Sequence, residues 1–326
     1  MNHGERNKLT RLEEITAPSH EDQHTRPVRV LVIGLGQLGL PVAKYIKQRG
    51  FEVWGYDVSQ KAIDRARTVA SISSTSEFAG FDVYIICIST HKQEDMFSPQ
   101  IEGILSLVED KISNEAKSGA LVSIESTIPR GTSKKISEML NHRLHIAHVP
   151  HRWYALEEHA HGVNQLRVAG GVKSCCLDAA SLFYYGKKVH DSLDNTKDPL
   201  SRYNLGIPLH PVKEIEVAEI TKIAENAHRY LQIAFAEDLY LYCQANNINF
   251  AELRDSLNTK WNVNILEPRE GIGGHCLPKD TKMFIESSRK MKSKILSAAM
   301  EVDQDYRHFR GVGESILLSP PKIVYP

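Results

Sequence analysis

The run Val28-Arg29-Val30-Leu31-Val32-Ile33 leads straight into Gly34-Leu35-Gly36-Gln37-Leu38-Gly39, and a helical stretch from Leu40 to Arg49 follows. An apolar, β-branched strand that passes through a glycine turn into a helix leaves few folds open. Gly50 stands just past the helix, where a left-handed residue usually ends one. A second strand, Glu52 to Asp57, comes next, and then a polar helix from Ser59 to Thr68 with Ser59 as its N-cap. Phe81 to Ile88 and Ala120 to Ile124 are continuous apolar runs, the kind buried on both faces of a sheet. Strands alternating with helices predict an α/β, Rossmann-type, doubly wound parallel sheet.

The glycine pattern alone is weak, because such spacings recur by chance. Its place between a strand and a helix, with Asp57 ending the next strand, makes it specific for a dinucleotide. Gly34 permits the tight turn, Gly36 lets the main chain approach a pyrophosphate, and Gly39 lets helix and strand pack closely. The pyrophosphate would lie on the free N–H groups around Gln37 and Leu38 at the positive end of the helix. Asp57 would accept hydrogen bonds from both ribose hydroxyls, which favours NAD over NADP. Thr90, Ser126 and Thr127 are assigned to the same cofactor site. The bland alternatives are a glycine turn without a ligand and a solvated strand end at Asp57.

At 326 residues the chain fits two domains, and its 40 Lys+Arg balance 40 Asp+Glu. That balance argues against nucleic-acid binding or a charged membrane surface as the partner. No apolar run reaches a membrane span. Residues 1–27 read as a polar arm without the apolar segment of a secretory signal, so a cytoplasmic location is expected. The five cysteines (Cys87, Cys175, Cys176, Cys243, Cys276) read as free thiols, since adjacent Cys175 and Cys176 pair poorly with one another. The histidines show no regular metal-ligand spacing, and no metal is expected.

Shorter strands are expected at His145–Val149 and Leu166–Ala169, the latter ending at Gly170-Gly171. Residues 191–211 read as a loop or linker. The helical period then runs from Val212 to about Asn246 without Gly or Pro, giving one long helix of roughly 50 Å or two nearly continuous ones. A further helix is expected from Met283 to about Tyr306, and the Pro-containing tail Leu317–Pro326 reads as extended. The division expected is a polar arm (1–27), an NAD-binding Rossmann domain (28–205) and a mostly helical substrate and dimerisation domain with a long central helix (206–326). Apolar residues on more than one face of that helix (Leu231, Ile233, Phe235, Leu239, Leu241) point to a homodimer, the alternative being burial against the chain's own Rossmann domain.

Two further features carry chemistry. Lys222 and Asn226 lie four apart on one helical face, with Glu219 near it. An ammonium stabilises a developing alkoxide and an amide orients a substrate oxygen. A solvated face with a Glu219–Lys222 pair is the competing reading. In Gly271-Ile272-Gly273-Gly274-His275-Cys276-Leu277-Pro278-Lys279-Asp280, a cysteine sits between a glycine-rich turn and a lysine that favours the nucleophilic thiolate.

Together these segments resemble the UDP-glucose/GDP-mannose dehydrogenase family. The glycine loop with Asp57, Ser126-Thr127-Ile128-Pro129-Arg130-Gly131-Thr132, Arg167-Val168-Ala169-Gly170-Gly171, the helix from Glu219 to Asn226 continuing to Glu237, and the Cys276 loop match it in order, over roughly Val28 to Glu301. The resemblance implies oxidation of a primary alcohol to a carboxylate with two NAD, through a thiohemiacetal and a thioester on Cys276. It implies that Lys222 and Asn226 hold the substrate oxygen, that Asp280 and Thr127 position water or move a proton, and that His151, Arg152, Gly273 and Lys279 lie against a small-molecule substrate, a nucleotide sugar in this family. Two features depart from the pattern. Pro150-His151-Arg152 stands where the family has Pro-Glu-Arg, whose glutamate serves thioester hydrolysis; His151 could replace it as a base near neutral pH. The sequence also stops at Pro326, about where the family's substrate-nucleotide domain begins. A two-electron alcohol or hydroxyacid dehydrogenase and a non-catalytic NAD-binding protein remain as alternatives, and Glu157 and Glu158 lie too far along to stand in for the glutamate.

Overall fold

The computed structural model describes residues 27–92, 95, 97–153, 161–190, 203–287 and 293–312. The polar arm before Pro27, Glu157, Glu158 and the tail Leu317–Pro326 lie outside the described residues.

Among the described residues, eight strands form one sheet, β1 (Arg29–Ile33), β2 (Glu52–Tyr56), β3 (Ser73–Ser74), β4 (Val83–Ile86), β5 (Leu121–Ile124), β6 (His145–His148), β7 (Arg167–Gly171) and β8 (Leu209–Val212). Their spatial order is β3-β2-β1-β4-β5-β6-β7-β8. The first six make the doubly wound arrangement, with the order reversing between β1 and β4. Alternation along the strands separates two cores. Val30, Val32, Ile85 and Ala147 pack with Ala43 and Ile46 of α1 (Gly39–Gln48) and with Ala180 and Phe183 of α6 (Ser174–Tyr185). Leu31, Ile33, Ile86 and Val122 face the other way, onto Ile104 of α3 (Glu102–Leu107) and Ile136 of α5 (Thr132–Met139). Ser59 caps α2 (Gln60–Ala70), its hydroxyl accepting the Ala62 N–H. A π-helical turn at Val108–Ile112 carries α3 into the short α4 (Ser113–Glu115).

Three features differ from the sequence reading. β7 runs antiparallel to β6, pairing Ala147 with Gly171 and His148 with Gly170. Antiparallel neighbours need no crossover helix. Part of the expected loop at 191–211 is strand β8, parallel to β7; Pro211, which cannot donate to a ladder, is tolerated there because β8 is an edge strand. The helix expected from Met283 is two helices, α9 (Cys276–Ser287) and α10 (Lys294–Phe309). α9 begins at Cys276 itself, since Pro278 falls in its first turn, where the missing N–H costs no hydrogen bond.

The long helix is continuous, α7 (Ile215–Ala245), followed by α8 (Phe250–Leu257). It packs on β7 so closely that a Cβ at Gly170 would stand 2.8 Å from Ile215 Cα. Tyr230 and Ala234 on α7 meet Ile272 and Ala299 in a small separate cluster, which docks the cysteine loop and α10 onto the long helix.

Candidate active site

The carboxyl ends of β1, β2, β4, β5 and β6 converge on one rim of the sheet. Gly34 has φ +89°, its N–H donates to the Tyr56 carbonyl at 2.8 Å, and a Cβ there would lie 2.7 Å from the Cys87 oxygen. A Cβ on Gly39 would stand 1.7 Å from the Gly34 oxygen, so only glycine lets α1 approach β1 this closely. A Cβ on Gly36 would meet nothing within 4 Å among the described residues, which leaves this side of its main chain open to a ligand. The residue preceding α1, Leu38, supplies no side-chain cap, so the first N–H groups of α1 remain available to an anion. Asp57 accepts from Leu35 N at 2.6 Å and Ser59 N at 2.8 Å, tying the glycine loop to the end of β2. These residues fit a dinucleotide. Gly36→Ala should keep the wild-type Tm, because its Cβ enters open space, yet weaken NAD binding about tenfold or more, about 1.4 kcal/mol. Unchanged affinity in a calorimetric titration would move the pyrophosphate elsewhere.

Beside this rim stands the cysteine loop. Gly271 (φ +93°) and Gly274 (φ +73°) turn the chain, and Cys276 opens α9 as an exposed residue. Its Sγ lies 3.6 Å from His275 Nε2, and the His275 ring packs edge-on against His91. A Cβ on Gly273 would meet nothing within 4 Å among the described residues. Further into the first turn of α9 the chain is buried: Lys279 is 4% and Asp280 2% exposed. Asn226 on α7 donates to Asp280 Oδ2, and Lys279 Nζ donates to Asp280 Oδ1. Lys279 also reaches Thr90 Oγ1 at 3.3 Å, and Thr90 donates to the Thr127 carbonyl at 2.7 Å. Asn226, the Lys279-Asp280 pair, Thr90 and Thr127 come from four separate segments of the sequence, and the fold joins them into one hydrogen-bonded chain.

Several sequence readings change in this setting. The lysine does not leave Cys276 a thiolate. Although the residue is exposed, its sulfur is crowded enough that burial raises the thiol pKa, and Asp280 adds to this against the opposing Lys279 and Lys222. Lys279 is itself paired with Asp280. Lys222 is half-buried on α7. Glu219 does not pair with it: fully buried, Glu219 accepts from Gly131 N (2.6 Å) and Ser133 N (2.9 Å), capping α5. Two of the motifs are thus joined by a cap. Ser126 donates its hydroxyl to the carbonyls of Ile86 and Ile88. Arg152 is held by Glu225 and by the Leu166 carbonyl.

His151 is also not free. It is 5% exposed; its Nδ1 accepts from Trp153 N, and its Nε2 lies 2.9 Å from Arg167 Nη2 and 3.5 Å from Glu125 Oε2. Burial first, and then the charges of Arg167 and Lys222, hold its pKa well below the ordinary imidazole value. It is therefore neutral. Glu125 and Arg167, each 1% exposed, pair at 2.8 Å, and Tyr184 OH donates to Glu125. The sequence reading passed over Glu125 and Tyr184. Position beside Ser126 was the one available signal for Glu125; Tyr184 carried none. Also missed were Asp303 and Arg307 of α10. Asp303 accepts the Ile272 N–H at 2.7 Å, and Arg307 donates to the Ile272 carbonyl. An i,i+4 charge pair was their sequence signal, and it gave no hint that the pair grips the cysteine loop.

Residues 216–305 match the UDP-glucose/GDP-mannose dehydrogenase family, central domain, and residues 29–150 match the NAD binding domain of 6-phosphogluconate dehydrogenase. Over residues 216–305 the chain is similar to the UDP-glucose/GDP-mannose dehydrogenase family. Its sheet domain is an NAD-binding domain. A UDP-N-acetyl-D-mannosamine dehydrogenase from Methanococcus maripaludis is 27% identical over 85% of this chain and 65% of its own length. One from Escherichia coli K12 is 29% identical over 86% of this chain and 70% of its own. Among solved structures, a UDP-D-ManNAc dehydrogenase from Pyrococcus horikoshii superposes with a TM-score of 0.72 at 25% identity, over 87% of this chain and 70% of that one. The chain thus spans 65% of the Methanococcus relative's length. No helix among the described residues is long and apolar enough to cross a membrane.

Proposed function

We propose that this chain is a member of the UDP-glucose/GDP-mannose dehydrogenase family and that it oxidises the primary hydroxyl of a nucleotide sugar to a carboxylate, with NAD and through a thioester on Cys276. The observation that carries the reading is the hydrogen-bonded chain Asn226–Asp280–Lys279–Thr90 beneath an exposed cysteine at a helix start, beside the glycine cradle. When bound, NAD supplies the hydride acceptor for both oxidations. Lys222 and Asn226 orient the hydroxyl, and the ammonium stabilises the developing alkoxide. The Cys276 sulfur then adds to the aldehyde carbon while the thiol proton passes to the carbonyl oxygen, giving a thiohemiacetal. The thiohemiacetal then gives up its second hydride and, to the Asp280 hydrogen-bonded chain, its hydroxyl proton, leaving a thioester; water replaces the sulfur, which takes back a proton. Full oxidation consumes two NAD and one water per alcohol. Asp280, sharing protons with Lys279 and Asn226, serves proton transfer, and Gly273 leaves room for substrate beside the sulfur.

A second reading, a two-electron dehydrogenase, draws support from the neutral, buried His151, which is held by Arg167 and Trp153 and is poorly placed to activate a hydrolytic water. NADH and product counted together over a panel of UDP-sugars, GDP-mannose and small hydroxyacids separate the readings. Two NADH per carboxylate is the expected result. One NADH per carbonyl product would replace it with the two-electron reading, and NAD binding without turnover would point to a non-catalytic protein. A cytoplasmic homodimer completes the proposal; Val217, Phe235 and Tyr242 on α7 are 46%, 55% and 56% exposed and suit an apolar face covered by a second copy.

A further inference from the structure

The end of the sheet opposite the cofactor rim carries a cluster that the active site does not use. His142 lies in the turn before β6, and Cys175 and Cys176 lie in the first turn of α6, just after β7. Because β7 is antiparallel to β6, these two segments meet at the amino end of β6. One ligand atom from each of the three residues lies within 4.8 Å of the others. Cys176 is fully buried, Cys175 is exposed and His142 is half-buried, so the cluster is anchored in the core and reachable from solvent.

We propose that His142, Cys175 and Cys176 bind one thiophilic divalent cation of the zinc type. Two sulfurs and an imidazole are the donor set such a cation takes, with water in the fourth position of a tetrahedron. Ligand atoms around a tetrahedral zinc stand roughly 3.5–3.8 Å apart, so closure requires side-chain movements of about an ångström. The imidazole is already oriented. Its Nδ1 lies 3.2 Å from Ser137 Oγ, and the His142 main-chain N–H donates to the Ser137 carbonyl. The second nitrogen of a metal-bound histidine is commonly held in this way, and Nε2 is left for the cation. The two thiols are adjacent in sequence and suited to share a metal rather than to oxidise to one another. A bound cation would latch the α5–β6 turn to the first turn of α6, raising stability by mass action without touching the cofactor rim. Sequence spacing hid this site because its histidine comes from a different segment than its cysteines.

The test is titration of the metal-free full chain with Zn(II), and with Co(II) as an optical probe. One equivalent should bind per chain, with a thiolate-to-cobalt charge-transfer band and a raised Tm. Cys175→Ser, at an exposed position, and His142→Ala should each weaken binding at least about tenfold. Cys276→Ser should keep the band. Affinity unchanged in Cys175→Ser and His142→Ala, absence of the band, or its loss in Cys276→Ser would each overturn the proposal.

Discussion

Cys276→Ser is expected to lower carboxylate formation by at least ~10³-fold while NAD binding and Tm stay at wild-type values. The sulfur is the group in the site suited to form a thioester, and a serine hydroxyl, far harder to ionise than a thiol, is no equivalent nucleophile even with His275 Nε2 3.6 Å from the position. The stability expectation follows from position: Cys276 is exposed at the start of α9 and contributes nothing to the core clusters. Retained carboxylate formation would remove the thioester from the mechanism. Product analysis adds a second check, since a two-electron enzyme would make its carbonyl product at a near-normal rate in the variant. Because burial and Asp280 raise the thiol pKa, the acid-forming rate of the wild type should climb with pH through the ordinary thiol range. A flat profile there would mean that sulfur addition does not limit the rate.

Glu237→Gln should leave stability unchanged below about pH 4 and raise Tm by several degrees above about pH 8, relative to wild type. Glu237 is fully buried on α7, and neither carboxyl oxygen has a hydrogen-bond partner among the described residues. Burial first, then the charge of Asp303, push its pKa up to about 8, against the opposing Arg307. The unfolded chain releases this proton near the ordinary carboxylate value of 4.5. Between those values the folded state holds a proton that the unfolded state has lost. The stabilisation is therefore complete below about 4.5, declines as pH rises and is gone above about 8. Each pH unit between the two values is worth about 1.4 kcal/mol, so the loss amounts to a few kcal/mol. Glutamine keeps the shape of the protonated acid and cannot ionise. Parallel Tm–pH curves for the two proteins would show that the carboxyl is solvated in solution. The effect reaches the active site through Asp303, which holds the Ile272 N–H in the cysteine loop.

The glycine cradle was legible because each demand on it is local. Gly34 needs a positive φ, and Gly39 must let a helix pass within contact of the strand's own turn. The alternation of Val30, Leu31, Val32 and Ile33 between two cores was likewise written in a period of two. The cysteine loop and the Lys222–Asn226 face were recognisable as motifs. Their meeting was not, because Thr90, Asn226 and Asp280 come from three segments, which only the docking of α7 and α9 beside the rim brings together. His151 read as a free base because Arg167 enters from an antiparallel strand that no local pattern announced. The same reversal of β7 carries Cys175 and Cys176 to His142. Sequence alone determined the nucleotide-binding sheet and the long helix and marked the candidate reactive residues, since backbone conformation and hydrophobic period depend on near neighbours. Tertiary structure decided which of those residues are free to act, because burial and ion pairing depend on what the rest of the chain places beside them.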